Sequence, residues 1–178
     1  MSTKTLMTVQ EFEQMQTAET EDYELVDGEL IPLPSGTPKH SKIRDLMSRR
    51  IGNYFETNPI GEALSETDCQ VADTVRRPDV AIFLGAERLR QIDDYKLPIP
   101  IAPDVAVEVL SPSESAIYVR RKVLDYLRAG SQEVWLLDRS NGEILVHKST
   151  GIQVLQGTDA LESPLLPGFS VTVAGLLA

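Results

Sequence analysis

One cysteine, Cys69, is the whole thiol content of 178 residues, so the chain forms no internal disulfide and holds no redox pair or zinc ribbon. Long apolar runs are missing too. The longest, such as Val134-Trp135-Leu136-Leu137, fall far below the ~20 residues that cross a bilayer. The first residues are polar and include no secretory hydrophobic region, so a protein with no membrane contact and a cytoplasmic location is expected. Positive charge is scarce: 17 Lys and Arg stand against 27 Asp and Glu, a net of −10. The mean field therefore repels nucleic acid, which excludes a DNA-binding domain that works by bulk basicity. Several enzyme motifs are absent as well. No G-x-x-x-x-G-K-[ST], no G-x-G-x-x-G after a strand and no G-x-S-x-G occurs, which argues against phosphate-loop enzymes, dinucleotide enzymes and elbow-type serine hydrolases.

What is present suits one globular unit. Hydrophobic residues make up 42% and charged residues 25% of the chain, enough for a sizeable core and unlike disordered, collagenous or coiled-coil sequences. The length favours a single domain over residues 1–178. Basic residues cluster at Lys39 to Arg50, Arg76-Arg77, Arg88 to Arg90 and Arg120-Arg121-Lys122. Such clusters are most often solvated faces, so any nucleic-acid role must come from a local patch or a metal.

Local patterns set the order of elements. Thr8-Val9-Gln10-Glu11 is a capping box that starts a short helix to about residue 17. Asp27-Gly28 between Tyr23–Val26 and Glu29–Ile31 signals a β-hairpin. Thr37-Pro38 opens an amphipathic helix in which Ile43, Leu46, Met47, Ile51 and Tyr54 recur with helical period up to Asn58-Pro59. Residues 62–71 read as a strand of mixed polarity, and Asp79–Leu84 as a strand covered on both faces. Residues 85–102 read as a loop. Asp104–Leu110 is the strongest central-strand candidate, and Ser111-Pro112-Ser113 ends it and offers a cap for a helix running to Ala129-Gly130. Strands at 133–138 and 143–148 follow, joined through Asn141-Gly142, with short β-like runs at 152–155 and 170–173. The expected class is an α/β or α+β sandwich with a mixed sheet.

Two carboxylates interrupt the two most hydrophobic strands. Asp79 heads one and Glu108 lies inside the other, and an ionised carboxylate there costs several kcal/mol unless it is paired or bound to a cation. Alternation sets Asp104, Ala106 and Glu108 on one face of the strand and Val105, Val107 and Val109 on the other. Paired carboxylates at a strand end can hold a hard divalent cation. An arginine salt bridge for Glu108 and a capping role for Asp79 weigh equally on local evidence. On the following helix Val119, Val123, Tyr126 and Leu127 form the apolar stripe, with Lys122 at its margin and Arg120 at the other.

These residues together resemble a known family. Tyr23-Glu24-Leu25-Val26-Asp27-Gly28-Glu29-Leu30, His40, Arg77-Pro78-Asp79-Val80, Pro103–Ser113, Lys122 with Tyr126, Ala129-Gly130, Val134-Trp135 and Leu166-Pro167-Gly168-Phe169 are similar to the Uma-two family of bacterial endonucleases. That family belongs to the PD-(D/E)XK restriction-endonuclease-like group. The resemblance implies a mixed β-sheet flanked by helices, with additional hairpins. Pro78-Asp79 matches the PD element and Glu108 the (D/E) position, so both would bind metal, joined by Glu24 as a further acidic ligand. Position 110 is Leu where the group usually has lysine, and the resemblance moves that role to Lys122. His40 either contacts phosphate or caps its helix, and the turn at Ser111 offers a further phosphate contact. Pro103-Asp104 competes as a PD element, but four residues of strand span about 13 Å, too far for Asp104 and Glu108 to share an ion.

The expected function is a Mg²⁺- or Mn²⁺-dependent endonuclease that hydrolyses DNA phosphodiester bonds, with Asp79, Glu108 and Glu24 holding the ion and Lys122 serving the attacking water. A homodimer is expected, since cutting both strands commonly needs two sites. Two alternatives stand beside it: a catalytically silent nuclease-fold module for binding or assembly, and a metal-dependent hydrolase of small phosphorylated substrates.

Overall fold

The computed structural model describes residues 6–15, 23–34, 36–92 and 96–178. Thr8 caps α1 (Val9–Gln14) reciprocally: its hydroxyl accepts the Glu11 N–H at 3.2 Å, and the Glu11 carboxylate accepts the Thr8 N–H at 2.7 Å. The expected continuation to residue 17 lies outside the described residues. Strands β1 (Tyr23–Val26) and β2 (Glu29–Pro32) pair across Asp27-Gly28, whose φ values of 51° and 75° are those a tight hairpin turn requires. Thr37 caps α2 (Pro38–Thr57), which buries Ile43, Met47 and Ile51.

The strand expected over 62–71 is two strands in two sheets. β3 (Gly61–Ser65) and β4 (Cys69–Val71) are separated by Glu66 in a left-handed conformation, φ 49°, which turns the chain from one sheet to the other. A second left-handed residue, Ala72 at φ 55°, folds back into β5 (Thr74–Arg76), a strand the sequence reading did not foresee. β6 (Val80–Leu84) follows, and the segment expected as loop contains a one-turn helix, α3 (Ala86–Leu89).

β7 (Val105–Val109) is buried at every position. The next helix, α4 (Ala116–Arg128), is capped by Ser115, whose hydroxyl accepts the Tyr118 N–H at 3.2 Å. Ser111 and Ser113 are therefore not its cap; their hydroxyls bond each other at 2.9 Å. β8 (Glu133–Asp138), β9 (Glu143–Lys148) and β10 (Gly151–Gln156) run as expected, and β11 (Ala160–Ser163), β12 (Leu166–Thr172) and α5 (Val173–Leu177) complete the chain.

The main sheet has the order β10-β9-β8-β7-β6-β3. Only β7 and β8 are parallel, joined by α4, and the other neighbours are antiparallel, which makes the sheet mixed. A second sheet, β2-β1-β5-β4, and the β11–β12 hairpin flank it. Alternation along β7 divides the core. Val105, Val107 and Val109 meet α2, α5 and β12 on one face, while Ala106 meets Val123 and Tyr126 of α4 on the other. Each fully buried aliphatic side chain contributes about 1.5–3 kcal/mol, so α4 is fixed in place by its apolar contacts before its polar ones are considered. The fold is mixed α+β, helices on a mixed sheet with extra hairpins. Among the described residues no helix is long and apolar enough to cross a membrane.

Candidate active site

The β6–β7 register pairs Val80 with Val107 and Ala81 with Ala106. Just outside that ladder Asp79 precedes β6, and it lines the same recess as Glu108 of the neighbouring β7. Asp79 Oδ2 accepts the Val109 N–H at 2.7 Å and lies 3.3 Å from His40 Nε2 on α2. That hydrogen bond raises the His40 pKa, against the lowering by burial. Glu108 is held from α4 on both oxygens: Tyr126 Oη donates to Oε1 and Lys122 Nζ to Oε2, each at 2.9 Å.

Lys122 sits among three acids, with Glu24 at 3.9 Å and Glu114 at 4.0 Å besides Glu108. Burial lowers its pKa, but Glu108 and Glu24 raise it further, so the ammonium stays charged. For Glu108, burial raises the pKa, Lys122 opposes, and Asp79 and Glu24 add to a rise from 4.5 to about 7. Glu24 of β1 follows a different balance. Burial raises its pKa, while Lys122, Arg76 and the Arg77 N–H lower it by more. Its Oε2 accepts from Arg76 at 2.8 Å and Tyr118 at 2.7 Å, and its Oε1 from the Arg77 N–H at 3.0 Å.

The six residues singled out in the sequence, Glu24, His40, Asp79, Glu108, Ser111 and Lys122, all line one recess of about 170 Å³. Three details differ from the reading. Lys122 is not marginal on its helix but 7% exposed, because its stem packs inward while Glu108 neutralises its head. Glu24 has both oxygens engaged by Arg76, Tyr118 and the Arg77 N–H, so it is tied to the protein more than the resemblance implies. Ser111 turns its N–H to Glu114 at 2.9 Å and its hydroxyl to Ser113. Asp104 faces away, accepting the Leu84 N–H at 2.8 Å and lying 2.8 Å from Arg88 Nε.

Sequence reasoning missed Arg76 altogether. It was grouped with basic residues read as solvated, yet it is 0% exposed and joins Glu24 at 2.8 Å to Asp125 at 2.5 Å. Its Nη1 also donates to Tyr118 Oη at 3.0 Å, and its guanidinium lies 5.3 Å from that ring. The signal for Tyr118 was available: positions 118, 122 and 126 are spaced i, i+4, i+8 and share a helical face. Nothing local marks Arg76, since its partners lie 52 and 49 residues away.

The donor chemistry fits a hard divalent ion. Among the described residues no three His, Cys, Asp or Glu side chains form a ready-made metal cluster, but Mg²⁺ is commonly held by one or two carboxylates with its other positions left to water and phosphate. Asp79 and Glu108 supply two; the Glu108 pKa is raised first by burial and then by the nearby Asp79 and Glu24 charges, and a cation between the acids would offset both.

The fold is that of a restriction-endonuclease-like protein. The crystal structure of "a putative nuclease belonging to DUF820" from Anabaena variabilis ATCC 29413 matches with a TM-score of 0.84 over 96% of this chain and 97% of that one, at 24% sequence identity. The chain belongs to the Uma-two (Uma2) family, described as "Putative restriction endonuclease", whose profile matches residues 9–174. A curated relative, the 2,3-bisphosphoglycerate-independent phosphoglycerate mutase of Psychrobacter arcticus, is 29% identical over 113 residues, 60% of this chain. The match spans only 20% of that protein's length, so its activity is not ascribed to this chain.

Proposed function

We propose that the chain is a Mg²⁺- or Mn²⁺-dependent endonuclease that cuts DNA phosphodiester bonds at the recess, acting as one domain over residues 1–178, as a homodimer, in the cytoplasm. The observation that carries this reading is that Asp79, just before β6, and Glu108, on the neighbouring β7, line one recess, with the Lys122 ammonium 2.9 Å from Glu108. Asp79 and Glu108 would hold the ion. When bound, the cation supplies Lewis acidity toward the phosphate and a lowered pKa for water.

The protein's own groups supply the rest. Lys122, kept charged by its acidic neighbours, donates hydrogen bonds and offsets negative charge that develops on the phosphate, so it acts as an electrostatic donor and not as a base. Tyr126 fixes the orientation of Glu108. Glu24 anchors Lys122 and Arg76 and would add a third carboxylate beside the ion. His40 orients Asp79 and, with the Ser111 turn, offers contacts to a substrate phosphate.

One observation favours a second reading, the silent binding or assembly module: both Glu108 oxygens already have partners within the protein. Calorimetric titration with Mn²⁺ and cleavage of supercoiled plasmid, run on wild type and Asp79→Ala, separate the two. The endonuclease reading requires that wild type bind and nick and that the variant do neither. Identical titrations would hand the site to the second reading. RNA and small phosphodiesters in the same panel test the choice of DNA.

A further inference from the structure

The recess occupies one flank of α4; the other flank borders a larger groove of about 1040 Å³ that meets the recess at Ser111 and Glu114. Its wall is Val119 and Leu127 of α4, and its floor is Leu136 of β8, Leu145 of β9 and Ile152 of β10. α4 is seated over β8, and the groove lies where a neighbouring helix would cover β9 and β10. Ile152 and Val154 alternate onto this face and are 60% and 51% exposed. β10 is also an edge of its sheet, and Gly151–Gln156 contains no charge and no proline, the usual protections of an exposed edge.

Beside the groove runs the outer ridge of α4, where Ile117, Arg120, Leu124 and Arg128 share a helical face. Ile117 is 83% exposed. Arg120 and Arg128 have no acidic partner among the described residues, in contrast to Arg121, which pairs with Asp27. Across the groove, Asp138 and Glu143 have no cationic partner among the described residues; they bond only Asn141 and Gln156.

We propose that this surface binds a second copy of the chain, with the basic, apolar ridge of each copy seated in the acid-rimmed, apolar groove of the other. Charge selects the occupant. Two unpaired arginines and two unpaired acids lie on adjacent strips of one face, which is the arrangement a self-complementary two-fold contact needs. A two-fold axis running between ridge and groove brings both strips into contact at once.

Sedimentation of the full chain over a concentration series tests this. Wild type is expected to show a monomer–dimer equilibrium. Arg120→Glu or Glu143→Arg should each weaken it by about tenfold or more through like-charge contact, and the double exchange should restore it. Ile117→Lys, at a position too exposed to disturb folding, should weaken it as well. A wild type that stays monomeric throughout, charge variants with unchanged association, or a double exchange that fails to restore it would each overturn the assignment. So would a monomer that instead takes up an amphipathic helical peptide at this face. The contact rests on the homodimer proposed above and assigns its surface; association is read here without cleavage, so its failure removes the dimer and leaves the metal chemistry of the recess to the Mn²⁺ titration.

Discussion

The antiparallel pair β6–β7 carries an aspartate after a proline at each end, and the two ends have opposite fates. At one end Asp104 accepts the Leu84 N–H and a Gln132 amide and lies against Arg88, so its charge is closed within the structure. At the other, Asp79 and Glu108 line one recess, and Glu108, Glu24 and Glu114 all lie within 4.0 Å of the Lys122 ammonium. The same Pro-Asp dipeptide thus builds a joint in one place and an acid-lined recess in the other. What differs is the number of acids that each cation must serve.

The sharpest way to break the comparison is to remove each acid in turn. Asp79→Ala and Glu108→Ala are expected to abolish Mn²⁺ binding in calorimetry and to lower plasmid cleavage by about a hundredfold to a thousandfold. Asp104→Asn should leave the Mn²⁺ titration unchanged while lowering stability, since it loosens the Leu84 and Arg88 contacts. Loss of Mn²⁺ binding in Asp104→Asn would show that the two ends are not distinct.

Burial sets the next effect in size. Arg76→Met leaves Glu24 and Asp125 without their buried partner and should cost about 3–5 kcal/mol in chemical denaturation. Arg90→Met removes an exposed pair with Glu87 and should stay within about 0.5 kcal/mol.

Glu108 gives the comparison a pH signature. Its folded-state pKa of about 7 lies above the usual 4.5, so between those values the folded protein holds a proton that the unfolded chain has released. Its contribution to stability therefore falls as pH rises through this window. Mn²⁺ needs the ionised form, so its affinity should rise over the same window. Melting curves of wild type and Glu108→Gln, with and without Mn²⁺, check both slopes: the variant should lack the fall and the metal response. A Mn²⁺ affinity that is flat with pH would place the ion elsewhere.

The smallest effect separates two serines. Ser115→Ala should cost about 1 kcal/mol by removing the α4 cap, whereas Ser113→Ala, whose hydroxyl bonds only Ser111, should change stability by a few tenths of a kcal/mol at most.

Features governed by short-range rules were legible before the structure. The Thr8 box, the Asp27-Gly28 turn and the Thr37-Pro38 start each depend on residues a few positions apart, and each stands where the pattern put it. The division of 62–71 was not legible, because Glu66 and Ala72 adopt left-handed turns without the glycine that would advertise them. The tail hid β11 and α5 for a similar reason: four- and five-residue elements carry too little periodicity to read. In the recess, strand alternation and the Pro-Asp element picked out Asp79 and Glu108, and the four-residue span removed Asp104. Arg76 stayed hidden because its environment is assembled entirely from distant segments, β1 and α4.

Lys122 hangs from α4 instead of from β7, so its reach toward the paired acids is a property of how a helix rests on a sheet. A substitution beneath Val123 that slides the helix by a fraction of an ångström would retune the recess without altering a single polar group. The apolar seat of α4 therefore sets the spacing of the recess as directly as its polar side chains do.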